Sequence, residues 1–182
     1  GSRKWCGLPD NAGNELPESV LVHGKNDPVV FAFEDELRPD AATVIEKLRR
    51  DGLRLEILSG DRQYPVRRLA SALGIETWQA GVTPQGKLAH IQSLKEAGRK
   101  VLVVGDGLND APALAAGHTS IAPSSASDVG RTAADTVFTG DSLQPIATAL
   151  DVARATHRLT VQNFALAVAY NVLAVPIAML GF

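Results

Sequence analysis

The chain has 182 residues, 45% of them hydrophobic, which supplies a core for one α/β domain and excludes a disordered or low-complexity protein. A formal net charge of -2 and a pI near 6.1 leave no basic excess, which argues against nucleic acid as the main partner. The single Cys6 can form neither an intramolecular disulfide nor a multi-cysteine zinc site, so it reads as a structural thiol in a reducing, cytosolic setting.

No signal peptide opens the chain, and Gly1-Ser2 reads as either a tag scar or an internal start. The first apolar run, VVFAF at 29–33, is short, rich in β-formers and followed by polar residues, as strands are. DAATVIEKLRRDG puts Ala41, Val44, Ile45 and Leu48 on one helical face, starting near Asp40 after Pro39 and stopping at Gly52. A second strand follows in LRLEIL at 53–58. Two more helices, PVRRLASALG and PQGKLAHIQSLKEAG, each open on a proline and close on a glycine. VLVV at 101–104 is a third strand, with weaker strand signals at TSIA (119–122) and DTVF (135–138). This alternation predicts an α/β, Rossmann-like parallel sheet covered by helices on both faces, in which ligands collect at the carboxyl ends of the strands.

The chain changes character at its end. Residues 164–182, FALAVAYNVLAVPIAMLGF, carry no charge and are long enough to span the ~30 Å hydrocarbon core, which predicts a C-terminal transmembrane helix. A buried core helix is the plainer alternative, since Asn171 and Pro176 are awkward in lipid. Arg154, His157 and Arg158 precede the run, and the positive-inside rule places that flank in the cytoplasm with the soluble part.

Two carboxylates crowd the end of the third strand, in VLVVGDGLND. Asp106 follows the strand directly and Asp110 falls four residues later, where a helix starting near Leu108 would aim both at one point. Magnesium favours one or two carboxylates plus waters and phosphate oxygens, and Gly105 and Gly107 let the backbone approach a ligand. The plainer reading is a tight turn with Asp106 capping a helix. At the second strand end, LSGD offers the Ser59 hydroxyl and the backbone N–H groups around Gly60 and Asp61 to a phosphoryl group, or forms an ordinary serine turn. Lys87, in TPQGK, supplies the positive charge phosphoryl transfer requires; a lone lysine is more often solvated surface.

The ordered set DELRPDA, ILSGD, VTPQGK and VVGDGLNDAPALA resembles the phosphorylation domain of P-type ATPases, within the haloacid dehalogenase-like superfamily. QNFALAVAYNVLAVPIA resembles the membrane helix that follows this domain in heavy-metal pumps, with a Tyr-Asn pair typical of the copper branch. SIAPSSASDVGRTAADTVF is most similar to copper pumps linked to maturation of respiratory oxidases.

The resemblance implies residues 1–28 as the tail of a nucleotide-binding domain and linker, 29–150 as the phosphorylation domain, and 151–182 as a membrane-entry and transmembrane helix. It implies Asp106 as principal magnesium ligand, Asp110 organising the metal, and Asn109 bonding phosphoryl oxygens. Ser59 stands where the family usually has threonine, Gly60 and Asp61 lie near ATP, and Lys87 stabilises the phosphate. Asp35 and Arg38 resemble the hinge to the nucleotide-binding domain. Tyr170 and Asn171 would line the ion route, or else bond neighbouring helices, and Pro176 would loosen carbonyls beside that route. The implied cofactors are Mg2+ and ATP. The implied partners are a transported metal ion, copper first, the remaining domains of the pump and the lipid bilayer; the implied location is a bacterial inner membrane.

These pumps phosphorylate the first Asp of an Asp-Lys-Thr-Gly-Thr string, and no such string occurs here. The expectation is therefore a piece of a longer pump, inactive alone, with GSRKWCG as the tail of the preceding domain and Gly1-Ser2 native on that reading. Two alternatives remain. One is a soluble phosphohydrolase using Asp35, although the place of its general acid, two residues on, is Leu37. The other is a non-catalytic, membrane-tethered module that binds nucleotide or a partner.

Overall fold

A computed structural model describes Cys6, Leu8 and residues 18–24, 27–33, 36–106 and 108–180. It divides into two compact units, residues 1–142 and 143–182.

The first unit opens with a hairpin. β1 (Glu18–Leu21) pairs antiparallel with β2 (Val29–Ala32), Glu18 opposite Ala32 and Leu21 opposite Val29. The run at 29–33 is thus a strand, but it joins β1 and not the parallel strands later in the chain.

α1 (Ala41–Arg50) buries Ala41, Val44 and Leu48, the i, i+3, i+7 face, while Ile45 stays half-buried. It ends at Gly52, which takes the left-handed conformation at φ 79° that a side chain would disfavour. β3 (Glu56–Leu58) follows, then α2 (Gln63–Leu73), which carries Pro65 within its first turn and stops on Gly74. β4 (Thr77–Gln79) pairs parallel with β3. α3 (Pro84–Glu96) leads to β5 (Leu102–Val104), a 3-10 turn at Leu108–Asp110 and α4 (Ala111–Ala116). β6 (Thr119–Pro123) pairs parallel with β5, and after α5 (Asp128–Ala133) β7 (Thr136–Phe138) pairs parallel with β6.

Both weak strand signals are therefore real strands. The parallel pairing forms two ladders, β3-β4 and β5-β6-β7. Ile121, Ala122 and Phe138 are buried with Ala113 and Leu114, and α3, α4 and α5 pack in succession. Ser120, also buried, exchanges bonds with Asp135: its N–H and hydroxyl reach Oδ2 at 2.8 and 3.0 Å, and the Asp135 N–H donates to Ser120 Oγ at 3.1 Å. These bonds satisfy the polar groups that the fold withdraws from water there.

Gly117 joins α4 to β6 where a Cβ would lie 2.8 Å from the Thr119 carbonyl oxygen and 3.0 Å from Val103 Cγ2. Backbone cannot retreat as a flexible side chain can. Gly117→Ala should lower stability by about 1–3 kcal/mol, the cost of overpacking, measured as a reduced midpoint in urea or thermal unfolding.

The second unit is α6 (Gln144–Met179). This helix starts well before the apolar run, because the backbone bonding that makes a helix continues through the charged segment around Asp151 and Arg158. Its surface is exposed where it is most apolar; Phe164 and Tyr170 are both 68% exposed. It is the helix among the described residues long and apolar enough to cross a bilayer, with a mean hydropathy of 1.4 over its best window. None of that window is buried among the described residues, which makes it a candidate membrane span.

Candidate active site

Each parallel strand hands the chain to a turn at its carboxyl end, and the polar residues that stand out in the sequence sit on those turns. After β3, the Asp61 N–H donates to Ser59 Oγ at 3.1 Å, and the Ser59 N–H donates to the Gln79 carbonyl at 2.9 Å. The Asp61 carboxylate accepts the Arg62 N–H at 2.7 Å. Two further bonds lace this turn to the loop ahead of α3: Gly81 N–H to the Asp61 carbonyl at 2.7 Å and Val82 N–H to the Ser59 carbonyl at 2.9 Å. The loop then becomes a helix by ordinary capping. Thr83 accepts the Gly86 N–H at 3.1 Å and Pro84 occupies the first helical position.

One turn into α3, Lys87 Nζ meets Asp110 Oδ1 at 2.5 Å, joining the β3 side of the site to the β5 side. The pair is mostly withdrawn from water, with side chains 13% and 20% exposed. Such a pair attracts strongly and costs desolvation in proportion. Gly105 makes room for it: a Cβ there would lie 3.0 Å from Asp110 Cβ and 3.2 Å from Oδ2.

A cleft of about 380 Å³ opens here, within the size range of small-molecule sites. Gly60 and the loop from Gly81 to Pro84 line one part, Lys87 another, and Asn109 and Asp110 the rest. Ser59 and Asp61 stand beside it in the laced turn. Asp106 follows β5 at the same sheet edge without lining the cleft. Its carbonyl accepts the Ser127 N–H at 3.2 Å, and its exposed carboxylate makes no hydrogen bond or ion pair among the described residues.

The donor set suits magnesium. No cluster of three or more His, Cys, Asp or Glu exists among the described residues, but this ion needs only one or two carboxylates with phosphate and water completing its shell. Asp106 offers a carboxylate that no described residue engages, and Asp110 commits Oδ1 to Lys87 while Oδ2 lies beside Gly105.

Other expected residues lie elsewhere. Asp35 and Gly107 fall outside the described residues. Arg38, just ahead of α1, donates from Nη1 to the Asp141 carbonyl at 2.7 Å. Tyr170 and Asn171 are on α6 in the second unit, where Asn171 Nδ2 donates to the Ala167 carbonyl at 2.8 Å and Pro176 lies inside the helix. At the opposite end of β5, the Val101 N–H donates to His118 Nδ1 at 3.1 Å; desolvation, then Lys100 and Lys95, hold this imidazole below its usual pKa. Sequence reasoning missed Thr83 and the Gly81-Val82 stretch. A threonine directly before a helix-opening proline was the available signal.

An α/β domain whose lysine, carboxylates and hydroxyl gather at the carboxyl ends of parallel strands belongs to the class of folds that bind ligands at that edge. Within that class, residues 1–118 match the haloacid dehalogenase-like hydrolases, and the chain belongs to this family.

Similarity extends to heavy-metal pumps. The chain is 50% identical over 179 residues to the nitrogen fixation protein FixI of Rhizobium leguminosarum bv. viciae, covering 97% of this chain and 24% of that protein. It is 41% identical over 149 residues to the copper-transporting ATPase RAN1 of Arabidopsis thaliana, covering 82% of this chain and 15% of RAN1. Among solved structures, a zinc-transporting PIB-type ATPase superposes with a TM-score of 0.77 and 34% identity, over 84% of this chain and 25% of that one. The relatives and structural neighbours thus include a copper-transporting ATPase and a zinc-transporting PIB-type ATPase, and the chain spans about a quarter or less of the length of these three proteins.

Proposed function

We propose that this chain is the magnesium- and phosphoryl-binding part, with one ion-pathway helix, of a larger ATP-driven heavy-metal cation pump whose cargo is copper. The Lys87–Asp110 bond carries the reading: residues 23 apart in sequence meet at the mouth of a cleft lined also by Gly60 and Asn109. Lys87 and Asn109 would hold phosphoryl oxygens with the Ser59 hydroxyl, Gly60 and Asp61 would face ATP, and Asp106 with Asp110 would hold Mg2+. The ion, when bound, offsets the charge of the phosphoryl oxygens. The protein's own part is to fix the lysine and the carboxylates before the phosphate arrives.

The reading as part of a longer chain draws support from the two ladders. β3 and β5 each pair on one side among the described residues, and their apolar side chains are only partly buried, with Val104 47% exposed, whereas Ile121, Ala122 and Pro123 of β6 are buried. Strands so apolar belong inside a sheet with neighbours on both sides. A further strand bearing the phosphorylated aspartate would meet that need and supply the phosphoryl acceptor. α6 would cross a bacterial inner membrane, with the first unit on the cytoplasmic side. Tyr170 and Asn171 would face the ion route, polar groups at membrane depth being turned inward. The copper assignment draws on that pair and on the name of RAN1; the zinc-transporting structure names the competing ion.

The test uses the complete protein in membrane vesicles with radiolabelled ATP, Mg2+ and copper(I) or zinc. The expected result is an acid-stable phosphoenzyme whose turnover copper(I) stimulates more than zinc. Stimulation by zinc alone would reassign the cargo. Turnover of a generic phosphate ester by the isolated chain, lost in Asp35→Asn, would replace the pump with the hydrolase.

A further inference from the structure

Two side-chain bonds fasten the start of the parallel α/β region to its end. Arg38 Nη1 donates to the Asp141 carbonyl at 2.7 Å, and Ser142 Oγ donates to Asp40 Oδ2 at 2.7 Å, each across more than a hundred residues. Both lie within the first unit.

Topology explains the meeting. Parallel strands all end at the cleft's edge, so the chain leaves β7 there, and α1, which precedes β3, must begin there to return to that strand's start. Asp40 holds the N-cap position of α1, where aspartate ordinarily accepts a helix N–H, yet its carboxylate makes no cap bond and accepts the Ser142 hydroxyl instead. The backbone still holds the segment to the helix: the Ala41 N–H donates to the Arg38 carbonyl and the Val44 N–H to the Asp40 carbonyl, both at 3.0 Å. α6 starts at Gln144, two residues past Ser142.

Resting on the pump reading, we infer that Arg38 and Asp40 are positioning residues that couple the two ends of the domain. They bind the segment entering α1 to the segment leading into α6, so that displacement of one carries the other. Neither touches the cleft. Their loss should therefore separate phosphorylation from ion movement.

Arg38→Ala, Arg38→Lys and Ser142→Ala in the complete protein test this, with copper(I) as cargo in sealed vesicles. Arg38→Ala should keep the phosphoenzyme level within about twofold while ions moved per ATP fall at least about fivefold, the lower end of ordinary site-to-site coupling. Arg38→Lys keeps a donor for the Asp141 carbonyl and should restore most of the ratio; Ser142→Ala should lower it less than Arg38→Ala. Hydrogen exchange in the same protein supplies a second readout: the Ala41 and Val44 amides and those at 139–143 should exchange faster in Arg38→Ala, with β5 unchanged. An unaltered ratio of ions to ATP overturns the inference, and so does a proportional fall of phosphorylation and transport, which would mark general damage. Should the parent form no phosphoenzyme, the pump reading fails by itself. The fastening is then judged by exchange, and unchanged rates at 41, 44 and 139–143 overturn it.

Discussion

Asp106→Ala should reduce magnesium-dependent phosphorylation of the complete protein by at least about 10²–10³-fold, as loss of several kcal/mol of metal-mediated charge stabilisation requires. Its folding stability should change by no more than about 0.5 kcal/mol, the ordinary range for a surface substitution. The two numbers belong together. Asp106 is exposed and its carboxylate supports no other described residue, while its carbonyl, which accepts the Ser127 N–H, survives the substitution. A carboxylate that no described residue engages adds little to the fold, and on the proposed reading its role is to hold the metal. Phosphoenzyme formation is read by acid quench and stability by thermal unfolding in the same detergent. Normal phosphorylation in the variant would remove Asp106 from the metal site. A large loss of stability would mean that the carboxylate has a structural partner.

How much of this was legible in the sequence depends on the range of each interaction. α1 and α3 were readable because their signals are local: Pro39 and Asp40 against Gly52 for the first, and Pro84 against Gly98 for the second. β1 and β4 were missed, since strands of three or four residues have too short an alternation to register and are defined by partners distant in sequence. The same cause misplaced β2. VVFA has strand composition whichever sheet it joins, and only the opposite row of Glu18–Leu21 makes it a hairpin.

The site was half legible. Motif order placed Ser59 and Asp110 at one sheet edge, because every parallel strand must end there, and Lys87 near the start of the helix between them. The direction of each side chain was not encoded in spacing: Asp106 and Asp110, four residues apart, differ in that Asp110 is engaged by Lys87 and Asp106 is left to solvent. Asp40 shows the limit from the other side. Its type and position fit a helix cap, and a hydroxyl 102 residues away takes the carboxylate instead.

Lys87→Met is expected to fail on both counts that Asp106→Ala separates. Methionine keeps most of the apolar stem but removes the charge, leaving Asp110 withdrawn from water without its cation. For a pair between the exposed and fully buried limits that costs about 1–3 kcal/mol of stability. On the proposed reading phosphorylation should fall by at least about 10²-fold, since the cation assigned to the phosphoryl oxygens is lost. Loss of fold alone could mimic the second effect, and the double variant Lys87→Met/Asp110→Asn distinguishes them. Asparagine carries no charge to strand, so the double variant should regain most of the lost stability, a coupling the double-mutant cycle measures directly. Its activity should stay at the level of the single variant, because the phosphoryl group still finds no cation. If stability and phosphorylation recover together, the Lys87–Asp110 bond is a strut between α3 and the turn after β5, and the chemistry of the cleft must be sought in its other residues.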